Sequence, residues 1–541
     1  MKTRLPPLFL MLLSFWAIVF VLYYPAREGR FVFDYLDLVA MYKPSFCEGL
    51  MVNFNDIAFR PFTHVFLYPL VKWIGNKPTL HLVLATFFHA ATAVLLYKNI
   101  ELVFKAAHAI LHAKVIAFFT ALLFLLSPFQ TECVLWGGAS FYANATLMFM
   151  LAMYFFLSHH ESNKKQELIL FYLFSLIAFY THEVFILLPF FFLLLKVFLL
   201  KSNQQKWIIF FDKTTLLIFG LIPLYFIGNK IVLHRWIGHY GVDAHTTIHP
   251  VEILSVIQKY FLKQLFFAPF LPDYISNKSY QITELPVVAM FFSALVIGVI
   301  SWCLYLVFKN KYRPLWMFFF LTTILFIIPV ANLYFPTYIL IHGDRLGYFA
   351  SLFIWVPVLI LCVYLFKKWA VLPMILVVFF SLLFLTKQID SWRTAASLQS
   401  SLELSFKSFE NKQTYILNLP DSYRGAYMYR CKADGKFAER YKYIRGIDVS
   451  NNITEVLSYN LNTPTDSVSV KTINDSTLQV TLSDWGTWYW RNTLGAVNYE
   501  SDKLNVAVDE WNHSYTVVFK DRKAEDVFLY QANGEWRVYD F

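Results

Sequence analysis

The chain has 541 residues and a formal net charge of +10, a balance that in a soluble protein would make nucleic acid the first partner to consider. Hydrophobic residues reach 58%, charged residues only 15%, and the mean hydropathy is +0.50, whereas a soluble domain is about a quarter charged. The composition therefore implies a chain solvated mostly by lipid and excludes a disordered segment, a collagen-like fibre and a disulfide scaffold.

Apolar runs near the ~20 residues that cross a hydrocarbon core are expected at about 7–24, 80–104, 113–128, 139–158, 166–182, 183–200, 214–233, 285–308, 315–332, 347–366 and 370–386, which makes roughly eleven spans. The first begins MKTRLPP, but no small-residue cleavage site follows Tyr24, so a retained helix is expected rather than a signal peptide. The stretch 252–271 is apolar yet carries Lys259 and Lys263 in mid-run, and it reads as an amphipathic helix lying on the outer face.

After Leu385 the composition changes. Polar and apolar residues alternate in VSVKTI, LQVTL, YTVVF, DVFLY and EWRVY, with turn signals such as ADG, SDWG and ANGE, so antiparallel strands are expected in a β-rich outer domain. The expected division is residues 1–395 as membrane domain and 396–541 as the C-terminal domain. The five cysteines, Cys47, Cys133, Cys303, Cys362 and Cys431, are scattered without CxxC or Cys/His spacing, so neither a disulfide framework nor a zinc site is expected.

Charge sets the orientation. Residues 396–541 hold 16 Lys+Arg and 19 Asp+Glu, so all the basicity belongs to the apolar part. With the N-terminus in the cytoplasm, the inner segments collect 16 cations against Glu101, Glu161, Glu167 and Asp212, while the outer ones are close to neutral. This is the positive-inside bias, and it explains the basicity without nucleic acid.

Ionisable residues against a membrane face are costly, so the outer acids are the candidate functional groups. Asp34 and Asp37 follow the first span, three apart and on one face if the segment is helical. Glu132 lies in SPFQTECVLWGG, His182 and Glu183 in FYTHEVFILLP, and Asp344 and Arg345 in IHGDRLGYF. A single carboxylate at a helix start is often only a dipole partner, and the weight comes from several on one side. His81 and His89, eight apart within a span, read as helix–helix hydrogen-bonding residues.

Arg60-Pro61, His81 to His89, SPFQTECVLW, THE before an apolar run, GDRLGYFAS and the late Thr386, Trp392 and Leu398 occur in that order. Together they resemble the membrane core of GT-C glycosyltransferases, in particular the branch of dolichyl-phosphate-mannose protein mannosyltransferases and TMTC-like O-mannosyltransferases. The resemblance covers about residues 5–400 and leaves out the β domain. It implies inverting transfer of a sugar, hexosyl or pentosyl, from a polyprenyl-phosphate donor to an acceptor hydroxyl of a protein, lipid or glycan on the non-cytoplasmic side of a bacterial inner membrane.

In that reading Asp34 is the base and Asp37 the next candidate; Arg345 meets the leaving phosphate, with Arg60 and His182 behind it; Glu132 and Glu183 orient the sugar or hold those cations. The chain departs from the pattern at each acid: Asp34-Tyr-Leu-Asp37 replaces adjacent acids, His182-Glu183 replaces Lys-Glu, and Asp344-Arg345 replaces Glu-Arg. Some members bind a divalent metal through an acidic pair two apart. That pair is absent, so no metal or other cofactor is expected.

The rival readings are a polyprenyl-linked glycan flippase or carrier, an O-antigen-type polymerase or ligase, and a plain anchor for the β domain. A carrier would carry mid-membrane charge and internal repeats. A polymerase would carry a large, late, Arg-rich outer loop, and an anchor would not need so many spans.

Overall fold

A computed structural model describes residues 7–541 except 33, 41, 43–44, 52–58, 110, 200–211, 238–249, 288–289, 292–293, 295–297, 299–311, 334–343, 408, 410–411, 430–435, 484–486, 489–497 and 510–512. The protein is mainly helical, with a C-terminal β-rich region. By internal contacts it divides into two units. One comprises Met1–Leu22, Met41–Val134 and Ala139–Thr386; the other comprises Tyr23–Ala40, Leu135–Gly138 and Lys387–Phe541.

Seven helices among the described residues are long and apolar enough to cross a membrane, or up to eight with a bent pair, against the eleven spans expected. Several expected spans take other forms. The stretch 166–182 is the 17-residue helix Lys165–Thr181. The stretch 183–200 opens as a 3-10 turn, Glu183–Leu187, and leaves only Leu188–Leu199 as α-helix. Most of 285–308 lies outside the described residues.

The first unit is built on two long helices, Pro78–Ala106 and Ser140–Ser162; 67% of the apolar stretch that ends at Ser162 is buried, against 17% for that of Pro7–Arg30. The latter therefore presents most of its apolar surface outward, as a helix against lipid does. Much of the aromatic content goes into the interior. Phe149 packs edge-on to Phe191 at 4.9 Å and to Phe349 at 4.7 Å between ring centroids, and Phe349 stacks on Phe326 at 3.8 Å. Edge-on contact suits the ring quadrupoles and adds to the gain from burial.

Helix Ala113–Leu125 breaks before Pro128, which has no N–H to give to a continuing ladder. Ser127 Oγ accepts from the Phe129 N–H at 3.3 Å, and the chain re-enters helix over Pro128–Leu135 at an angle of 55°. The expected helix at 252–271 is found as Pro250–Phe266, but Lys259 and Lys263 are buried within the unit, not turned to a surface.

In the second unit, the alternating runs form strands. Val468–Asn474, Thr477–Leu482, Ser514–Phe519, Leu504–Asp509 and Tyr499–Glu500 make a five-stranded antiparallel sheet. Val527–Ala532 and Glu535–Tyr539 also pair antiparallel, as expected of these runs, and parallel pairing enters through strands that the alternation did not mark. Thr414–Ile416 runs parallel to both Val527–Ala532 and Ile453–Glu455, and Leu419–Tyr423 runs parallel to Ser458–Leu461. The crossover that parallel pairing demands includes a helix, Lys436–Arg445, between the strands.

Candidate functional site

The sequence-predicted residues of the first unit gather as ion pairs. Arg60 stands at the start of helix Pro61–Pro69, where Pro61 fixes the first helical position. Its guanidinium meets the Glu183 carboxylate through two nitrogens: Nε donates to Oε2 at 2.6 Å, and Nη2 donates to Oε1. This is the bidentate geometry in which an arginine fork matches a carboxylate. The Phe141 ring lies 5.9 Å from the same guanidinium.

Glu132, on the re-entered helix after the Pro128 break, is 2% exposed. Its Oε2 accepts from the backbone N–H of Arg345 at 3.0 Å and from Arg345 Nη1 at 3.2 Å. Asp344, next to it, pairs with the buried Lys263 of helix Pro250–Phe266. Burial pushes the Asp344 carboxyl up, Lys263 pulls it down, and Glu132 adds to the upward shift. Three cations thus face three carboxylates in the unit interior, where breaking one pair would leave an uncompensated charge.

The segment bearing Arg345 is fixed on several sides. Tyr260 donates to the Gly347 carbonyl at 2.8 Å, the Gln130 amide donates to Ser351 Oγ at 2.8 Å, and Tyr348 shares a 2.8 Å hydrogen bond with His89 Nδ1. His89 Nε2 also reaches the Leu125 carbonyl, and His81 Nε2 the Gly75 carbonyl. His89 thus ties separate elements together.

His182 differs from the others. It is 3% exposed, with its ring stacked on Phe141 at 5.4 Å and tilted against Tyr142 at 4.2 Å. As the residue before the 3-10 turn, it caps that turn: Nδ1 accepts from the Val184 N–H at 3.1 Å. A ring nitrogen that accepts carries the lone pair, so the proton of the neutral ring sits on Nε2. Nε2 is buried and has no hydrogen-bond partner among the described residues. A buried donor left unmade costs about 1–3 kcal/mol, so its retention calls for an explanation. The charges of Glu183, Arg60 and Arg345 all act on the His182 ring.

The backbone of Asp34 and Asp37 forms the helix Asp34–Ala40, in the second unit; their side chains lie outside the described residues. Lys263, Gln130, Tyr348, Ser351 and the Phe141–Tyr142 clamp were not expected in the site. Only Lys263 left a signal, a lysine inside an apolar run. Among the described residues no group of three or more His, Cys, Asp or Glu is placed to hold a metal ion.

No protein-family model and no curated protein matches this chain at a significant level.

Proposed function

We propose that the protein is a GT-C-type integral membrane glycosyltransferase with about eleven spans. It moves a hexosyl or pentosyl group from a polyprenyl-phosphate donor to an acceptor hydroxyl on a protein, lipid or glycan, with inversion. In this reading the N-terminus is cytoplasmic and the β-rich domain periplasmic, in a bacterial inner membrane. The seven long apolar helices support the membrane part of the reading.

The observation that carries the chemistry is the buried Nε2–H of His182, unpartnered among the described residues, in the field of the paired arginines. Charge grows on a phosphate as it leaves, and a preset donor in a dry site stabilises that charge without reorganising at the moment of reaction. Arg345 and Arg60 supply positive potential and are held by Glu132 and Glu183. The base stays with Asp34, with Asp37 next, on sequence position and on the need for a carboxylate to take the acceptor proton. No metal enters the scheme.

The test is transfer by the full chain in proteoliposomes, with polyprenyl-phosphate hexoses and pentoses as donors and membrane extract as acceptor. The proposal expects one donor to be consumed and its sugar to appear in product with the opposite anomeric configuration. Export of intact lipid-linked sugar without cleavage would instead mark a carrier.

A further inference from the structure

The second unit contains more than the C-terminal strands: residues 23–40 and 135–138 belong to it as well. Two successive carbonyls just ahead of helix Asp34–Ala40 are held by side chains. The Phe31 carbonyl accepts from the Arg440 guanidinium. The Val32 carbonyl accepts from Trp136 Nε1 at 2.8 Å.

Arg440 sits in helix Lys436–Arg445 and is itself fixed, since its Nε donates to Glu403 Oε1 at 2.6 Å, with both side chains buried. Around this anchor the Phe31 ring meets Tyr443 edge-on at 5.6 Å and Tyr35 at 5.2 Å, and Tyr35 and Tyr443 share a hydrogen bond. Trp136 packs edge-on to Tyr427, and Tyr427 to Trp392. Gly137 makes the close approach feasible, because a Cβ there would stand 2.6 Å from Tyr35 and 3.1 Å from the Arg30 carbonyl.

A buried Arg–Glu pair is a costly way to hold one carbonyl and contributes little net stability over an apolar pair. What it does supply is directional: the guanidinium fork has fixed geometry, and its position is set by Glu403. Its placement three residues before Asp34 gives that rigidity a purpose.

We propose that the C-terminal domain takes part in the reaction by positioning the acidic helix, with Arg440 as the positioning residue and Glu403 as its holder. The proposal rests on the reading of Asp34 as base. It makes the domain a clamp on the first loop, where the sequence left open whether it recruits an acceptor.

The experiment uses the full chain in lipid nanodiscs, with Arg440→Ala, Arg440→Lys, Trp136→Phe and Asp34→Asn. Amide hydrogen exchange is followed over 31–40 and, as a folding control, over Thr477–Leu482 and Ser514–Phe519. Transfer is measured with the polyprenyl-phosphate donor that the chain consumes. Arg440→Ala is expected to speed exchange over 31–40 by tenfold or more with the control strands unchanged. It should lower kcat at least tenfold at constant donor KM, and Arg440→Lys should restore part of both. Trp136→Phe, which keeps a ring against Tyr427 but loses the donor and part of the buried ring volume, should give a smaller change in the same direction. Unchanged exchange over 31–40 in Arg440→Ala overturns the clamp. Faster exchange with unchanged kcat, while Asp34→Asn is inactive, overturns its role in the reaction. An active Asp34→Asn variant overturns the base assignment, and this role with it.

Discussion

Arg345 binds Glu132 twice through one oxygen, by its backbone N–H at 3.0 Å and by Nη1 at 3.2 Å, so a single buried carboxylate fixes both the chain and the side chain of the arginine. The relationship gives Glu132 two separable tasks. Glu132→Gln keeps an acceptor for the backbone N–H and loses only the charge, whereas Glu132→Ala loses both. Removing one partner of a buried ion pair costs about 3–5 kcal/mol, and the partial exposure of the Arg345 side chain places the loss here at or below the lower end. Unfolding of the detergent-solubilised protein should show that loss for Glu132→Ala and a smaller one for Glu132→Gln. Equal losses would mean that the backbone bond contributes nothing.

Arg345→Ala should weaken use of the lipid-phosphate donor. A hydrogen bond to a charged group contributes about 1.5–3 kcal/mol, or about ten- to a hundredfold in kcat/KM for the donor. Donor kinetics like those of the wild type would remove Arg345 from the phosphate site.

His182→Phe keeps an aromatic ring between Phe141 and Tyr142 while deleting both the cap to Val184 and the free N–H. Loss of a preset donor to developing charge lowers kcat by about 10²–10³. The lost cap costs about 0.5–2 kcal/mol of stability. A variant that loses stability but keeps kcat would make His182 a capping residue and nothing more.

Membrane sidedness can be read by a membrane-impermeant thiol reagent on a cysteine-free background. Glu28, Ser469 and Lys368 are all exposed in the structure. Glu28→Cys and Ser469→Cys should label from outside intact cells, and Lys368→Cys only after permeabilisation. The reverse pattern would invert the orientation on which the outer-face chemistry depends.

These residues also mark what the sequence could and could not convey. Strands Val468–Asn474, Thr477–Leu482 and Ser514–Phe519 were legible because a half-buried strand shows a period of two. Thr414–Ile416 and Leu419–Tyr423 are buried at every position, so no alternation announced them, and their parallel pairing joins segments far apart in the chain. At the site, the acids at helix ends stood out by their cost near lipid. Their partners did not: Lys263 reads as an interfacial lysine until its helix is folded inward onto Asp344, and the free nitrogen of His182 follows from a turn geometry that THE does not encode. The expected span 113–128 ends at the Pro128 break, while the return to helix over Pro128–Leu135 was not expected, because that short run lies between two spans and shows no hydropathy of its own.

The most direct test of glycosyl transfer is the lipid-linked sugar and glycan profile of cells that lack the gene, complemented with either the wild-type chain or Asp34→Asn. One polyprenyl-phosphate sugar should accumulate while the same sugar disappears from a protein, lipid or glycan, and only the wild-type chain should restore both. Unchanged profiles in the deletion, or full restoration by Asp34→Asn, would contradict the proposed reaction.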